Sequence, residues 1–419
     1  MQSAQAGQAT RKHIHNSLEL QRVPAIPRNS THQALRSTHN LHAPRIEDLL
    51  EREQIHVDVQ KTRKLIAGQI VLVTGAGGSI GSELCRQVAR AKPRKLLLLD
   101  KSENSLFYAH LEVCGYLEAA RATPYLADLL EGDRLRTILR AEQPNIIFHA
   151  AAHKHVGILE LHPHEAIRNN VIGTHNIAKA ALEYGTGRFV NISTDKAVRP
   201  CSYMGLSKKF TELCIQELSR NSVTRFSNVR FGNVAGSTGS VLRLFWEQIQ
   251  KGGPVRVTDP RATRYFMSIP EAVHLILRAA ALGKNGETFV FDMGEPINIY
   301  DLAKKMIRFA GFQPGRDLPV EIIGLRPGEK VEEELWESWE QPVTTECKGI
   351  RAIHRPSGET PGILRHIRNM ERFLAQGDRE GLLEYAVEIL PDFKRNREVD
   401  IADQLRTAQD APLSPAEAV

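Results

Sequence analysis

Four polar residues, Ser193-Thr194-Asp195-Lys196, directly follow the apolar stretch FVNI. A carboxylic acid beside an amine can serve as general acid and general base, provided that the amine is neutral at the working pH. This requires the pKa of Lys196 to fall well below its usual value of about 10.4, through burial or a neighbouring cation such as Lys208. The alternative interpretation is a helix cap beside an ordinary surface ion pair.

A glycine-rich turn, Thr74-Gly75-Ala76-Gly77-Gly78-Ser79-Ile80-Gly81, lies between the apolar stretch IVLV and a predicted helix. Gly75 permits a tight turn, Gly78 lets the backbone approach a pyrophosphate, and Gly81 lets the helix pack closely on the sheet. The free N–H groups at the helix start, around Ser79 and Ile80, suit an anion. The strand–turn–helix context predicts a dinucleotide site, whereas the turn alone could be an ordinary connection.

A carboxylate stands where the second predicted strand ends, at Asp100. An acid at this point in dinucleotide-binding folds accepts hydrogen bonds from the adenosine ribose hydroxyls and repels a ribose 2′-phosphate. Asp100 therefore favours NAD over NADP as the cofactor, although the adjacent Lys101 could soften that repulsion.

Other residues at the same predicted sheet edge also suit a bound cofactor. Asp128, followed by Leu129, comes just after the third strand and is placed to meet the adenine amino group. A helix N-cap explains Asp128 equally well. The small residues Ala150, Ala151 and Ala152 follow the fourth strand, where the backbone would run close beneath the cofactor. Tight packing alone would also explain them.

These residues belong to an alternation of apolar strands and amphipathic helices, which predicts a parallel sheet covered on both faces. The predicted strands are Ile70–Thr74, Lys95–Leu99, Thr123–Leu126, Ile146–Ala150, Arg188–Ile192, Ser227–Phe231 and Thr288–Asp292. The predicted helices between them are Glu83–Ala91, Leu106–Ala120, Gly132–Glu142, Glu165–Tyr184 and Ser207–Ser219. The fold class is therefore α/β, a doubly wound parallel sheet of the Rossmann type, with its ligand crevice at the carboxyl edge.

The alternation loosens after Phe231, where glycine and proline become frequent around the predicted helices Val241–Gln250 and Ile299–Ala310. This change predicts a smaller, C-terminal substrate-binding lobe. The predicted organisation is a flexible polar arm at 1–44, a dinucleotide-binding domain at 45–234 with a last strand at 288–293, the lobe at 235–356, helices at 357–403 and a disordered tail at 404–419.

The 419 residues include 55 basic and 49 acidic side chains, mixed along the chain, for a net charge of +6. This mixing argues against nucleic acid as a partner and suits an anionic small molecule. The five cysteines show no spacing typical of a disulfide framework or a zinc site, so no metal is expected. No apolar stretch approaches the roughly 20 residues of a membrane span, and Met1 begins no apolar signal core, so we expect a cytosolic protein.

Five motifs, in this order, carry a resemblance to a known family: VLVTGAGGSIGSELCRQ, STDKAVRP, VRFGNVAGSTGSV, TRYFMSIPEA and GLRPGEK. From about Ile46 to about Ile353 the chain resembles the UDP-N-acetylglucosamine 4,6-dehydratases of bacterial surface-polysaccharide biosynthesis, which are extended short-chain dehydrogenases. The resemblance implies that bound NAD takes hydride from C4, that water leaves across C5 and C6, and that the hydride returns to C6. The implied product is a 4-keto-6-deoxy sugar.

The same resemblance implies a role for each polar residue. Asp195 would protonate the leaving C6 hydroxyl, Lys196 would abstract the C5 proton, and Thr194 would bind the C4 hydroxyl. Lys208 would hold the nicotinamide ribose and lower the pKa of the group being oxidised. A homo-oligomer, with contacts through helices of the dinucleotide-binding domain, is a further family expectation.

The chain departs from the wider superfamily at the tyrosine of its Tyr-x-x-x-Lys pair, because the residue four before Lys208 is Met204. Tyr203 is one residue out of register. On a helix this turns its side chain by about 100°, to a position behind the site residues or on the surface. A subset of the family resembles this chain in carrying Met there and is associated with retention at C5. The group that deprotonates the C4 hydroxyl stays open between Thr194, Asp195 and a water molecule.

The nucleotide-sugar side is predicted from the later motifs. Asn233, Arg264 and Arg326 are interpreted as a pyrophosphate clamp, although each could be a structural ion pair. The remaining predicted substrate contacts are Val241 and Leu242 near the base, Lys154, His155 and Asn170 in the sugar pocket, and Glu329, with Asn170 also counted as a cofactor contact. A packed core histidine is the alternative for His155.

Two other functions compete with dehydration of a UDP-sugar. The first is a 4-epimerase or ketoreductase on the same scaffold. An epimerase has no use for paired Asp195 and Lys196, and it normally needs a tyrosine at position 204. A non-catalytic protein that binds NAD or a nucleotide sugar is supported only by Met204, and the Thr194-Asp195-Lys196 sequence weighs against it.

Overall fold

The computed structural model describes Pro44, Leu49 and residues 59–220, 222–354 and 362–394. Apart from Pro44, the predicted arm at 1–44 lies outside the described residues, as does the predicted tail at 404–419. Within the described ranges, no helix is both long enough and apolar enough to cross a bilayer.

A nine-stranded sheet lies at the centre of the described structure, in the order β14-β15-β11-β6-β5-β4-β1-β2-β3. The strands from β11 to β3 are parallel, whereas β15 and β14 pair antiparallel at one edge. The sheet consists of β1 Ile70–Thr74, β2 Lys95–Asp100, β3 Ala122–Leu126, β4 Ile146–His149, β5 Arg188–Ile192, β6 Arg225–Arg230, β11 Glu287–Phe291, β14 Gln341–Thr344 and β15 Ile350–His354.

Short strands between β6 and β14 form three two-stranded sheets, β10-β7, β12-β9 and β13-β8. They are β7 Asn233–Ala235, β8 Val255–Val257, β9 Thr263–Arg264, β10 Phe266–Ser268, β12 Ile297–Asn298 and β13 Val320–Ile322. Two helices, α9 (Val241–Gln250) and α11 (Ile299–Phe309), pack against β8. We call these strands and helices, with the segments that join them up to β14, the small lobe.

Helices cover both faces of the large sheet. They are α1 Val59–Ile66, α2 Ser79–Arg90, α3 Glu103–Cys114, α4 Gly132–Glu142, α5 Val156–Leu161, α6 Pro163–Glu165, α7 Gly173–Glu183, α8 Tyr203–Ser219, α9 Val241–Gln250, α10 Ile269–Leu282, α11 Ile299–Phe309, α12 Ile363–Gln376 and α13 Arg379–Ile389. A π-helical segment, Ala166–Ile172, joins α6 to α7, and a 3₁₀ turn, Asp195–Ala197, follows β5.

The two faces of the sheet belong to two separate apolar clusters. Val71 and Val73 of β1 pack in one cluster with α2 and α10 residues, whereas Leu72 packs in the other with α7, α8 and α12 residues. Alternate residues of a strand point to opposite faces, so a strand buried on both sides is apolar throughout. This arrangement confirms the predicted doubly wound fold.

The predicted elements are right in kind but differ at several ends. The helix predicted over Leu106–Ala120 ends at Cys114, because Gly115 follows and the chain turns toward β3. The helix predicted from Glu83 begins at Ser79, so the glycine-rich turn is shorter than predicted. β3 is an edge strand with alternating burial rather than an apolar strand.

Some elements were not predicted at all. α10 fills the face opposite α8, and Ser268 caps it by accepting a hydrogen bond from Glu271 N–H. β14 and β15 extend the sheet at its antiparallel edge. α12 and α13 lie where the sequence predicts C-terminal helices, and they pack on α8 and on α6, respectively.

Candidate active site

Two glycines of the turn after β1, Gly75 and Gly81, lie directly against neighbouring backbone. Gly75 has φ of +67°, and a Cβ there would lie 2.8 Å from the backbone N of Ala151. A Cβ on Gly81 would lie 1.9 Å from the carbonyl oxygen of Gly75. Neither contact is tolerable for a side chain, so the turn packs backbone against backbone. Gly78 is the N-cap of α2 and leaves the first N–H groups of this helix for a ligand.

A cleft of about 540 Å³, open to solvent, lies next to this turn. Nine predicted cofactor residues line it: Gly75, Gly78, Asp100, Lys101, Asp128, Leu129, Ala150, Ala151 and Ala152. Three more, Ser79, Ile80 and Gly81, form the first turn of α2. His153, in the loop after β4, and Asn169, in the π-helical segment, also line the cleft but were not predicted.

Asp100 is fixed by the backbone on both sides of its carboxylate. Its Oδ2 accepts from Gly77 N–H and its Oδ1 from Ser102 N–H, each at 2.9 Å. Each carboxylate oxygen can accept a second hydrogen bond, so the acid stays able to bind ribose hydroxyls. The close-packed glycines and this oriented acid together fit a dinucleotide.

The side chain of Asn170 is buried and hydrogen-bonds the loop after β4. Its Nδ2 donates to His153 O at 3.0 Å and to Ser207 Oγ at 2.9 Å, and its Oδ1 accepts from His153 N–H at 2.8 Å. Asn170 therefore fixes this loop, and its contact with cofactor or sugar stays a prediction. Asp128 is not a helix N-cap, because Glu131 precedes α4; its Oδ1 accepts from Leu130 N–H.

The polar residues after β5 form a compact, hydrogen-bonded group. Ser193 Oγ donates to Glu212 Oε1 at 2.7 Å, and Thr194 Oγ1 donates to Asp195 Oδ1 at 2.8 Å. Asp195 is completely buried, and its Oδ2 has no hydrogen-bond partner among the described residues. A buried carboxyl oxygen without a partner is costly and typical of a functional site.

Lys196 contacts a residue of its own loop after β5 and two residues of the small lobe. Its Nζ is 3.0 Å from Asp195 Oδ1, 3.1 Å from Asn233 Oδ1 on β7 and 3.4 Å from Glu333 Oε1. The predicted catalytic loop and the predicted substrate residue Asn233 are therefore in contact.

The pKa of Lys196 shifts in the direction opposite to the sequence-based prediction. Burial alone would lower the pKa of Lys196, but Asp195 and Glu333 outweigh burial and raise it. The cation that opposes this rise is Arg264, not Lys208. Lys208 is the lysine whose pKa is lowered. Burial brings this pKa to about 8, and Glu212 opposes the shift. Its Nζ donates to Ile192 O at 2.7 Å, at the end of β5.

Met204 and Tyr203 begin α8, which Ser202 caps by accepting from Gly205 N–H. Met204 is buried and lies one helical turn before Lys208. Tyr203 is also buried, not at the surface, and its ring lies 5.6 Å from that of Phe393. The out-of-register tyrosine is thus part of the core beneath α8.

Two residues of the predicted pyrophosphate clamp lie on separate segments. The guanidinium of Arg264 donates to three backbone carbonyls, those of Thr263, Lys330 and Val331, at 2.7 to 3.0 Å. These hydrogen bonds tie β9 to the segment at 330–331. Arg326 is exposed, and its N–H donates to Glu329 Oε2 at 3.3 Å. The clamp itself stays a prediction.

The other predicted substrate residues lie at the junction between the large sheet and the small lobe. Lys154 Nζ donates to Thr238 O at 2.8 Å. His155 is exposed rather than a packed core histidine, and its ring lies against Gly239. Val241 and Leu242 begin α9, with Leu242 buried.

The contact between Glu333 and Lys196 was not predicted from the sequence. Glu333 is 3% exposed at the side chain and belongs to a run of acidic residues, which by itself is typical of a solvated surface. Among the described residues, no group of His, Cys, Asp and Glu side chains could hold a metal ion.

The chain matches the family model described as "Polysaccharide biosynthesis protein" over residues 71–355. It is 49% identical over 298 residues to the capsular polysaccharide biosynthesis protein CapD of Staphylococcus aureus, covering 71% of this chain and 50% of that protein. It is 31% identical over 288 residues to an inverting UDP-N-acetylglucosamine 4,6-dehydratase of Campylobacter jejuni, covering 68% of this chain and 82% of that enzyme. UDP-glucose 4-epimerases of Rickettsia also match, at 31% identity for one from Rickettsia akari.

Among solved structures, Pen from Bacillus thuringiensis is 31% identical and superposes with a TM-score of 0.64, covering 70% of this chain and 90% of Pen. The chain spans about half the length of the first curated relatives that it matches. Its fold, its motifs and these matches agree. The chain therefore belongs to the polysaccharide biosynthesis protein family of extended short-chain dehydrogenases, whose relatives include nucleotide-sugar dehydratases and epimerases.

Proposed function

We propose that the chain catalyses the NAD-dependent 4,6-dehydration of UDP-N-acetylglucosamine to the 4-keto-6-deoxy sugar, with retention at C5, for surface polysaccharide or glycan synthesis. The observation that carries this proposal is the buried Asp195 carboxyl, with one free oxygen, hydrogen-bonded to the amine of Lys196. Elimination of water needs an acid for the leaving hydroxyl and a base for the neighbouring carbon, and this pair supplies both.

The 3.0 Å bond between Lys196 Nζ and Asp195 Oδ1 gives the pair its chemistry. One proton that passes along this bond leaves Lys196 neutral, able to take the C5 proton, and Asp195 protonated, able to release the C6 hydroxyl as water. This proton transfer explains how Lys196 can act as a base although its amine is charged at rest. Thr194, which donates to the same Asp195 oxygen, lies beside the pair and would bind the C4 hydroxyl.

The cleft beside the glycine-rich turn would hold NAD, with Asp100 on the adenosine ribose and the N-terminus of α2 at the pyrophosphate. When bound, NAD supplies hydride acceptance at C4 and hydride return at C6. Lys208, with a pKa of about 8, holds or releases a proton near neutral pH at the end of β5.

Retention at C5 is proposed because Met204 stands where a tyrosine would face Lys208. A methionine cannot return a proton to the sugar, so a single base, Lys196, would remove and return the C5 proton on one face. UDP would lie in the small lobe, near Asn233 and the start of α9. A cytosolic location and a homo-oligomeric state belong to the same proposal.

The main alternative is a 4-epimerase, because epimerases are among the relatives. An epimerase would leave the Asp195–Lys196 pair without a task. It would also lack its tyrosine, since Tyr203 is buried against Phe393.

Incubation of the purified chain with UDP-N-acetylglucosamine tests the proposal. We expect NMR to show a 4-keto-6-deoxy product with the C5 configuration of the substrate. Lys196→Ala should lower product formation by about 10²–10⁴-fold while the bound cofactor, released and counted by chromatography, stays unchanged.

Formation of the C4 epimer without loss of water would support the epimerase instead. If none of the UDP-sugars supplied loses water, the dehydratase proposal fails. A Lys196→Ala variant with near-normal turnover would remove Lys196 from the role of base.

A further inference from the structure

Glu333 is a second carboxylate, besides Asp195, that contacts the proposed catalytic amine of Lys196. Its Oε1 lies 3.4 Å from Lys196 Nζ, and its side chain is 3% exposed. Its Oε2 makes no hydrogen bond within the described residues, although Lys330 Nζ is 3.7 Å away. A buried carboxylate whose close contacts are two ammonium groups acts mainly through its charge.

The backbone that carries Glu333 is fixed from several sides. Lys330 Nζ donates to Val198 O at 2.8 Å, just after the proposed catalytic loop. Arg264 donates to the carbonyls of Lys330 and Val331, and Thr263 N–H also donates to Val331 O. The Glu333 carboxylate is therefore held in place by the protein itself, without a ligand.

We propose that Glu333 is a positioning residue for Lys196: it holds the amine in place from the small lobe and sets the pH range in which that amine exchanges its proton. The expected effect of Glu333 on turnover rests on the proposed dehydration. The expected effect of Glu333 on the pKa of Lys196 does not depend on the reaction.

Several charged and titratable groups face this pair. Asp195 contacts Lys196 and Arg264 acts on it through its charge. Lys330 Nζ lies 3.7 Å from Glu333 Oε2, and the Glu333 charge also acts on the thiol of Cys201. Tyr265 lies beside Asp195. Of the groups that act on Lys196, Asp195 and Glu333 favour the charged amine and Arg264 opposes it. Removal of the Glu333 charge therefore leaves Asp195 alone against burial and Arg264, so the proton leaves Lys196 at lower pH.

The variant Glu333→Gln removes this charge at nearly constant shape, and Glu332→Gln removes a charge from the exposed neighbouring residue as a matched control. In Glu333→Gln we expect the pH profile of kcat/KM for UDP-N-acetylglucosamine to move to lower pH by about one unit or more. Glu332→Gln should keep the wild-type profile. Glu333→Asp keeps the charge and should restore the wild-type position of the profile, even at reduced kcat.

A second measurement does not depend on turnover. NMR titration of protein labelled at lysine Cε follows the Lys196 amine, which is assigned by its absence from Lys196→Arg. Glu333→Gln should lower the pKa of Lys196 by a similar amount, and Glu333→Asp should not. A folded Glu333→Gln variant with both the wild-type profile and the wild-type Lys196 titration overturns the inference.

The two proposals fail in different ways. If the wild-type chain removes water from no UDP-sugar but Lys196 still titrates at lower pH in Glu333→Gln, the dehydratase proposal fails and the positioning role stands. If wild-type protein dehydrates its substrate and Glu333→Gln changes only stability, the positioning role is wrong.

Discussion

The substitution Arg230→Met should destabilise the fold strongly, because it removes the cation of a fully buried ion cluster. The side chains of Arg230, Glu212 and Glu340 are each 0% exposed. The guanidinium donates to Glu212 at 2.7 and 2.6 Å and to Glu340 at 2.6 and 3.1 Å. This cluster joins the end of β6 to α8 and to the segment before β14.

The expected loss follows from what the substitution leaves behind. Two buried carboxylates keep a hydrogen bond each, from Ser193 Oγ and from Glu337 N–H, but lose the guanidinium. Removal of one partner from a buried ion pair costs about 3–5 kcal/mol, since the remaining charge cannot return to water. A comparable change at the exposed Arg243, which pairs with Glu247, should cost less than about 0.5 kcal/mol.

Urea unfolding at several pH values measures this prediction. In Arg230→Met the two carboxyl groups should bind protons in the folded state at higher pH than in the unfolded state, where the pKa of Glu is about 4.3. The folded variant then binds more protons, so its unfolding free energy falls as pH rises and its deficit shrinks toward acid. A deficit below about 1 kcal/mol at neutral pH, or one that does not depend on pH, would refute this reasoning.

Two further substitutions test other parts of the site. Gly81→Ala would place a Cβ 1.9 Å from Gly75 O and should abolish retention of the nicotinamide cofactor, counted after denaturation, whereas Gly157→Ala, with nothing within 4 Å of the added atom, should keep it. Lys208→Met removes an amine whose pKa burial lowers to about 8, so between pH of about 8 and about 10.4 the unfolded wild-type chain binds more protons than the folded one. Over that range the wild-type unfolding free energy should rise by up to about 1.4 kcal/mol per pH unit relative to Lys208→Met in urea titrations, and equal slopes would contradict the burial of a titrating amine.

The sequence predicts well which residues line the cleft beside the glycine-rich turn, because the determinants of this cleft are local. Gly75, Gly81 and Asp100 act through backbone geometry within one strand–turn–helix unit and the start of the next, and such units recur with the same spacing. The apolar strands are equally local, since burial on both faces leaves a continuous apolar run.

The direction of the Lys196 pKa shift could not be predicted in the same way. Glu333 lies far along the chain from Lys196 and reaches it only through the fold of the small lobe. A run of glutamates has no periodicity that separates the one buried member from its exposed neighbour Glu332. The hydrogen bonds of Asn170 and Arg264 to backbone carbonyls show the same limit, because the partners are distant in the sequence.

The order of strands in the large sheet also affects how the chain is synthesised. β6 ends at Arg230, but its parallel neighbour β11 begins only at Glu287, after most of the small lobe. While the ribosome makes the intervening residues, the backbone N–H and C=O groups along one edge of β6 have no partner strand, and such an edge is a template for wrong pairing. The edge is covered once β11 emerges, and β15, ending at His354, then covers β11. The nascent chain is therefore most exposed to aggregation, and to capture by chaperones, while the small lobe is being translated.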